Sequence, residues 1–149
     1  MMEENLFNEL NISHKPAIEV LKKLGYQYIK SSEAEKMRGS LYNVILTDVL
    51  RDKLIELNEY EYKGQKYKFS PSNIGQAMRD LDVSLVDGLV KTNEKIYDLL
   101  MLGKSYSEKL IDGSTKSFSM KFIDWDNYEN NVFHVVEEFR VEREDGRGT

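Results

Sequence analysis

The sequence predicts an α+β fold, in which a helical amino-terminal layer is followed by a β-meander of three strands. Two observations lead to this prediction. Between Ser13 and Leu102, apolar residues recur at the helical period of about 3.6 positions, whereas beyond Gly103 they alternate with polar residues, as in half-buried strands. Because helical patterns come first and strand patterns last, the two kinds of element are expected to be segregated, as in α+β folds.

The first helix is predicted to begin at Ser13, whose hydroxyl can cap it, with Pro16 in its first turn. Gly25 follows the last apolar residue and indicates the end of that helix. Tyr26 to Ile29 is a short candidate strand. Lys30 to Ser40 is polar, and we expect a surface loop there.

A second helix is predicted from Tyr42 to Asn58, where apolar residues recur at helical spacing. Glu59 to Phe69 carries Tyr and Phe among charged residues around Gly64, which fits either a small hairpin or a long loop. Ser70-Pro71 is a capping pair and predicts a third helix, which runs to about Asp80.

Val83 to Leu102 is the longest helical pattern in the chain, and Gly103 closes it. Gly88 lies inside the pattern and predicts a kink or a break near Asp82 to Asp87, because glycine is unfavourable within helices. The apolar positions assigned to its core face are Val83, Leu85, Val86, Leu89, Val90, Ile96, Tyr97, Leu99 and Leu100.

Three strands are predicted after this helix. Lys104 to Ile111 turns at Asp112-Gly113, and Ser117 to Asp126 and Val132 to Val141 then form a terminal hairpin. An isolated two-stranded ribbon is marginal in water. We therefore expect the sheet to continue beyond this hairpin in a larger protein, and the edge of Val132 to Val141 to favour self-association.

Composition limits the functions open to this chain. Its 149 residues predict a single domain, 1–149, and 40% hydrophobic residues indicate a folded chain. It contains no Cys, which excludes a disulfide framework and a thiolate metal site. Neither a membrane-length apolar run nor a signal-like start is present, so a cytoplasmic protein is expected. The net charge of −5 argues against strong nucleic-acid binding.

Short motifs follow one another in a fixed order along most of the chain. They are Leu24-Gly25-Tyr26; Arg38 with Val44-Ile45-Leu46, Leu50-Arg51 and Leu57-Asn58; Asn93 with Tyr97, Leu100 and Gly103; and Phe122-Ile123-Asp124 followed by Asn131, Phe133 and Val135-Val136-Glu137-Glu138-Phe139. In order and spacing this set resembles the amino-terminal region of the R (restriction and translocation) subunit of type I restriction enzymes.

The resemblance implies that the chain is the first part of a restriction-endonuclease-like domain of the Asp…Glu-x-Lys class. In that family the intact subunit cleaves DNA with Mg²⁺ after ATP-driven translocation, alongside modification and specificity subunits. The family's catalytic Asp and Glu-x-Lys lie on strands that would follow Thr149, and the chain has no P-loop motif. This stretch is therefore expected to lack catalytic residues and cofactors, with Mg²⁺ and ATP belonging to the parent subunit.

Two other functions stay open at this point. A free-standing, non-catalytic module that binds DNA or a protein is the main alternative. A small enzyme complete in itself is disfavoured, because no coherent acid–base or nucleophile set is present.

Four residues are weak site candidates. His14 occupies the position where some nucleases of this class carry a first-helix Glu, and Glu19 lies further along the same helix. Arg38 and Lys36 are candidate phosphate contacts, and the alternative for Arg38 is a solvated or structurally paired side chain.

Four further side chains receive other assignments. Asp124 and Asp126 flank Trp125 at a strand end and offer two oxygen ligands to a cation, without a third. His134 lies inside a predicted strand and is assigned as either a hydrogen-bonded or an edge histidine, and Asn93 is assigned to a hydrogen bond with a loop backbone.

Overall fold

The computed structural model describes residues 10–82 and 85–142. Its elements are a π-helical turn (Leu10–His14), α1 (Lys15–Lys23), β1 (Gln27–Tyr28), α2 (Ser31–Arg38), α3 (Thr47–Leu57), β2 (Glu59–Tyr62), β3 (Gln65–Lys68), α4 (Pro71–Leu81), a 3₁₀ turn (Leu85–Asp87), α5 (Leu89–Leu102), β4 (Lys104–Lys109), β5 (Thr115–Met120), a 3₁₀ turn (Tyr128–Asn130) and β6 (His134–Val135). This mixture of helices and short sheets confirms the α+β class.

The chain divides into two compact units, Met1–Leu46 with Val132–Thr149, and Thr47–Asn131. The single domain expected over residues 1–149 stays a prediction. None of the helices in the described ranges is long and apolar enough to cross a membrane.

The first unit holds a pair of very short parallel strands. β1 pairs with β6, with Gln27 opposite His134. The amide of Gln27 donates to the Phe133 carbonyl at 2.7 Å, and the amide of Ile29 donates to the Val135 carbonyl at 2.9 Å. These bonds attach the chain after residue 131 to the segment that follows α1.

The predicted terminal hairpin is wrong. β5 ends at Met120, and β6 comprises only His134–Val135, which pairs in parallel with β1 and not with the segment Ser117 to Asp126. The sequence alternation correctly indicated strand only for Ser117 to Met120 and for His134–Val135, and a period of two does not identify a strand's partner. The long edge along Val132 to Val141, and with it the basis for edge-to-edge self-association, is therefore not formed.

The surface loop predicted for Lys30 to Ser40 is also wrong, because Ser31–Arg38 forms α2. Ala34 and Arg38, one helical turn apart, are both completely buried. Two buried positions on one face are enough to hold a short helix, although they leave no visible apolar stripe in the sequence. Gly39 ends α2 with φ of 74°, a conformation that glycine adopts readily.

α1 confirms part of its prediction. It ends at Lys23, shortly before Gly25, and Ile18 is its buried residue. The predicted cap at Ser13 is wrong, because the π-helical turn Leu10–His14 precedes α1 and places Ser13 inside a helical segment.

The second unit contains two antiparallel hairpins, β2–β3 and β4–β5, and the helices α3, α4 and α5. Of the hairpin and the long loop left open around Gly64, the structure has the hairpin, and the turn at Asp112-Gly113 is confirmed. Ser70 caps α4 as predicted, since its Oγ accepts a hydrogen bond from the Asn73 amide. The buried core consists of Leu54, Phe69, Ile74, Ala77, Leu99, Tyr106, Met120 and Phe122.

Two helices of this unit differ from prediction in extent or orientation. The helix predicted from Tyr42 begins only at Thr47, and the long pattern breaks before α5, as Gly88 indicated. α5 buries Thr92 and Leu99, whereas Val90 and Tyr97 from the expected core face are exposed. Apolar residues lie around much of this helix, so its sequence pattern does not select the inner face.

We predict that Gly103→Ala destabilises the second unit by about 2–5 kcal/mol. Gly103 has φ of 70° and ψ of −166°, a region that is costly for other residues, and a Cβ there collides with the Met120 carbonyl. Gly113→Ala is the matched control, because its φ of 81° is also positive but a Cβ would enter open space. In urea unfolding, Gly113→Ala should lower the free energy of unfolding less than Gly103→Ala does. Equal decreases would contradict the prediction that the collision with the Met120 carbonyl is what destabilises Gly103→Ala.

Candidate functional site

The loop between β5 and β6 is built around the buried side chain of Asp124, which is 2% exposed. Its Oδ2 accepts hydrogen bonds from Lys121 Nζ at 2.8 Å and Asn130 Nδ2 at 3.0 Å, and its Oδ1 accepts one from the Asn127 amide at 3.1 Å. Asn131 bonds to the backbone of Asp124 through both its amide oxygen and its amide nitrogen. The carboxylate therefore organises the loop.

The same contacts control the charge of Asp124. The hydrogen bond from Lys121, followed by those from Asn130 and the Asn127 amide, holds its pKa well below the usual range. Asp124 is therefore ionised at neutral pH, with both carboxylate oxygens engaged by the protein.

A second buried carboxylate, Glu108, joins β4 to the start of α4. Its Oε1 accepts hydrogen bonds from the Ser70 amide at 2.8 Å, the Ser70 hydroxyl at 3.0 Å and Asn73 Nδ2 at 2.8 Å. Asn73 Nδ2 also donates to the Ser107 carbonyl at 2.7 Å. Glu108 thereby completes the amino-terminal cap of α4 from a neighbouring strand.

A third carboxylate, Asp80, binds the side chains of β4. Its Oδ2 accepts hydrogen bonds from the Tyr106 hydroxyl at 2.6 Å and Lys104 Nζ at 2.9 Å, and its Oδ1 accepts one from Gln76 at 3.0 Å. Burial alone would raise the pKa of Asp80, but these three hydrogen bonds outweigh it and lower the pKa. Burial and the bond to Asp80 raise the pKa of Tyr106.

Arg38 is fully buried in the first unit, at 0% exposure. Its guanidinium donates to the Asn43 carbonyl at 3.0 Å and to the Arg140 carbonyl, and it lies 4.3 Å from the centroid of the Phe139 ring. Asn43 Nδ2 returns a hydrogen bond to the Arg38 carbonyl at 2.9 Å. Nε makes no hydrogen bond among the described residues. This placement corrects the expectation that Arg38 lies in an exposed loop, accessible to a phosphate.

The other candidates in the first unit do not form a common site with Arg38. Lys36 is exposed in the last turn of α2. Glu19 is exposed and pairs with Lys22 at 3.0 Å. His14 lies where the π-helical turn passes into α1. The roles predicted for His14, Glu19 and Lys36 stay predictions.

The remaining candidates are dispersed as well. Asp126 is exposed, and it lies with Asp124 in a loop, so the two do not flank a strand end as expected. Burial lowers the pKa of His134 in β6. Asn93 is exposed on α5. Within residues 10–82 and 85–142, no three His, Asp or Glu side chains come together in a group able to hold a metal ion.

Sequence reasoning missed an exposed surface on the second unit. Asn93, Glu94, Tyr97 and Asp98 line a concavity of about 450 Å³ on α5. Trp125 is also exposed, although its indole Nε1 donates to the Leu100 carbonyl at 2.9 Å near the end of the same helix. No signal in the sequence distinguished Tyr97 from core residues, because it falls on the helical apolar period.

We predict that Asp124→Asn lowers the free energy of unfolding of the second unit at pH 7. The difference between the variant and wild type should become smaller below about pH 4. The pKa of Asp124 is lower in the folded chain than in the unfolded chain, where it is about 3.9, so the ionised carboxylate stabilises the fold above that pH. This contribution is lost as the pH falls toward the lower pKa of the folded chain. The measurement is the urea midpoint between pH 7 and pH 2.5. The exposed neighbour Asp126→Asn is the control and should follow wild type throughout, whereas a pH-independent loss in Asp124→Asn would contradict the charge argument.

We also predict that Arg38→Met costs about 1–3 kcal/mol of stability, because the Asn43 and Arg140 carbonyls lose their donors. The amide of Glu142, which donates to the Leu41 carbonyl at 2.9 Å, should exchange hydrogen faster. The control is Arg51→Ala, an exposed side chain paired with Asp48, with an expected change of at most ~0.5 kcal/mol. Equal effects at the two arginines would contradict a structural role for the buried guanidinium.

Comparison with known proteins agrees with the motifs of the sequence. The family model described as type I restriction enzyme R protein N terminus (HSDR_N) matches residues 6–149. No curated protein and no solved structure matches the chain significantly. On this match, which extends over nearly all of its length, the chain belongs to the family of type I restriction enzyme R protein N termini.

Proposed function

We propose that this chain is the amino-terminal part of an R subunit that, when intact, cleaves DNA with Mg²⁺ and hydrolyses ATP in the cytoplasm. Its proposed partners are DNA and the modification and specificity subunits of the restriction complex. Within that subunit the chain builds one part of a restriction-endonuclease-like domain and does not itself supply the catalytic carboxylates. The observation that carries the proposal is the family match over residues 6–149.

The state of the buried carboxylates supports a structural role. A metal-dependent nuclease needs carboxylates that face a shared, open position where Mg²⁺ and water can bind. Asp124 and Asp80 instead use both oxygens for hydrogen bonds with neighbouring side chains or backbone, and Glu108 caps α4. Each of these groups already has a structural task.

The ion pairs formed by the lysines support the proposal that this chain binds DNA weakly. Phosphate affinity comes mainly from Lys and Arg side chains that are free to neutralise the DNA backbone. Many lysines here are in ion pairs with acidic residues: Lys22, Lys53, Lys63, Lys68, Lys95, Lys104 and Lys121. DNA contacts of the intact subunit are therefore proposed to come chiefly from other regions.

We predict that the purified chain neither cleaves plasmid DNA with Mg²⁺ nor hydrolyses ATP. The positive control is the full-length R subunit assembled with modification and specificity subunits, which should do both. Plasmid cleavage by the 149-residue chain that a chelator abolishes would contradict the structural assignment. An assembled control that cleaves no DNA would contradict the proposed activity of the parent.

The same preparation is used to measure duplex DNA binding. We expect a salt-dependent dissociation constant no tighter than about 10⁻⁴–10⁻⁶ M, the range of non-specific binding. The predicted phosphate contact at α2 is tested by comparing the DNA dissociation constants of Lys36→Ala and of the exposed control Lys109→Ala. If Lys36 contacts phosphate, Lys36→Ala should weaken binding more than Lys109→Ala. A sub-micromolar constant at physiological salt would favour the alternative of a dedicated DNA-binding module.

A further inference from the structure

Helix α5 carries an apolar stripe that faces solvent. Val90, Tyr97 and Met101 lie at positions i, i+7 and i+11, which fall on one side of a helix, and they are 71%, 63% and 42% exposed. Leu99, on the opposite side of α5, is buried in the core. The stripe is therefore a second apolar face, additional to the one that the fold requires.

Trp125 lies near the carboxyl end of the same helix. Its indole donates to the Leu100 carbonyl, yet the side chain is 57% exposed. The loop that carries it is fixed by the hydrogen bonds of Asp124. A large aromatic side chain that is already held in place loses little conformational entropy when a partner covers it. Val90, Tyr97, Met101 and Trp125 are called the α5–Trp125 surface below.

Carboxylates without ion pairs accompany this surface. Glu94 and Asp98 line the concavity beside Tyr97, Asp126 follows Trp125 directly, and Glu129 lies in the next 3₁₀ turn. Within the described ranges none of the four forms an ion pair, whereas six lysines of the unit are paired with other carboxylates: Lys53 with Glu56, Lys63 with Asp112, Lys68 with Glu59, Lys95 with Asp87, Lys104 with Asp80 and Lys121 with Asp124. The unpaired charges beside the apolar centre are therefore mostly negative, with Lys91 of α5 as an exposed cation that forms no ion pair in the described part of the chain.

We propose that the α5–Trp125 surface is a docking site for an amphipathic helix of a partner protein whose apolar face is flanked by Lys or Arg. From Val90 to Met101 the stripe spans about 16 Å, at ~1.5 Å per residue, which corresponds to about three turns of a packed helix. Tyr, Trp and Met are enriched at protein interfaces, and basic flanks complement Glu94, Asp98, Asp126 and Glu129. The inference goes beyond the proposed function and does not depend on nuclease chemistry.

Other occupants fit the surface less well. DNA is repelled by the four carboxylates, because its own backbone is negative. A second copy of the chain would bring the same carboxylates against themselves across a two-fold interface. Both alternatives give distinct results in the experiment that follows.

Trp125 is the only tryptophan of the chain, so its fluorescence reports directly on this surface. The probes are two short helical peptides with the same leucine face, one flanked by lysines and the other by glutamates. We expect the lysine peptide to shift Trp125 emission to shorter wavelength, with a dissociation constant of about 10⁻⁵–10⁻⁴ M, and the glutamate peptide to bind at least about tenfold more weakly. Tyr97→Glu should weaken binding of the lysine peptide about tenfold or more.

Two variants make the result specific. Ile111→Glu places the same charge on an exposed apolar residue of the β4–β5 turn and should leave peptide binding unchanged. The double variant Glu94→Lys, Asp98→Lys should reverse the preference between the two peptides. Circular dichroism and urea unfolding verify that each variant folds.

Three outcomes would overturn the proposal. The first is equal binding of the two peptides, or no binding of either at millimolar concentration. The second is a Trp125 shift that appears without peptide as the chain concentration rises, which would indicate self-association. The third is a shift caused by duplex DNA that competes with the lysine peptide, which would assign the surface to nucleic acid.

Discussion

A charged side chain removed from water must find hydrogen-bond donors or acceptors inside the protein, since an uncompensated buried charge costs several kcal/mol. This requirement determines the connections of both units. In the first unit, the guanidinium of Arg38 holds the carbonyls of Asn43 and Arg140. In the second unit, Glu108 fixes the start of α4, and Asp124 fixes the loop that follows β5.

The same constraint bears on function. A carboxylate whose oxygens are already bound by donors has a depressed pKa, as Asp124 and Asp80 show, and it is poorly placed to share a cation with a substrate. The family match and the occupied carboxylates together support an architectural contribution to a type I restriction R subunit. The motif Phe122-Ile123-Asp124, which first indicated the family, includes the residue that organises a loop.

The exposed face of α5 shows how a second apolar face can be hidden in an ordinary amphipathic pattern. Val90, Tyr97 and Met101 follow a helical period as well as Ile96 and Leu99 do, so the sequence offers two faces for one core. Packing against α4, β4 and β5 buries Leu99, and the second face remains in solvent. Because Trp125 bonds to the Leu100 carbonyl, a loop residue distant in sequence joins that face.

Local chemistry by itself determined much of this protein. The class of fold, the cap at Ser70, the break before Gly88 and the family follow from short motifs and residue periods. For the segment around Gly64, the sequence left a hairpin and a long loop open, and the structure has the hairpin. Only tertiary structure decided the partner of β6, the burial of Arg38 in a helix and the exposed side of α5. The periodicity of a segment reports its own conformation and the presence of an apolar face. The partner of that face is selected by contacts between residues far apart in the chain, and these contacts are a property of the folded molecule.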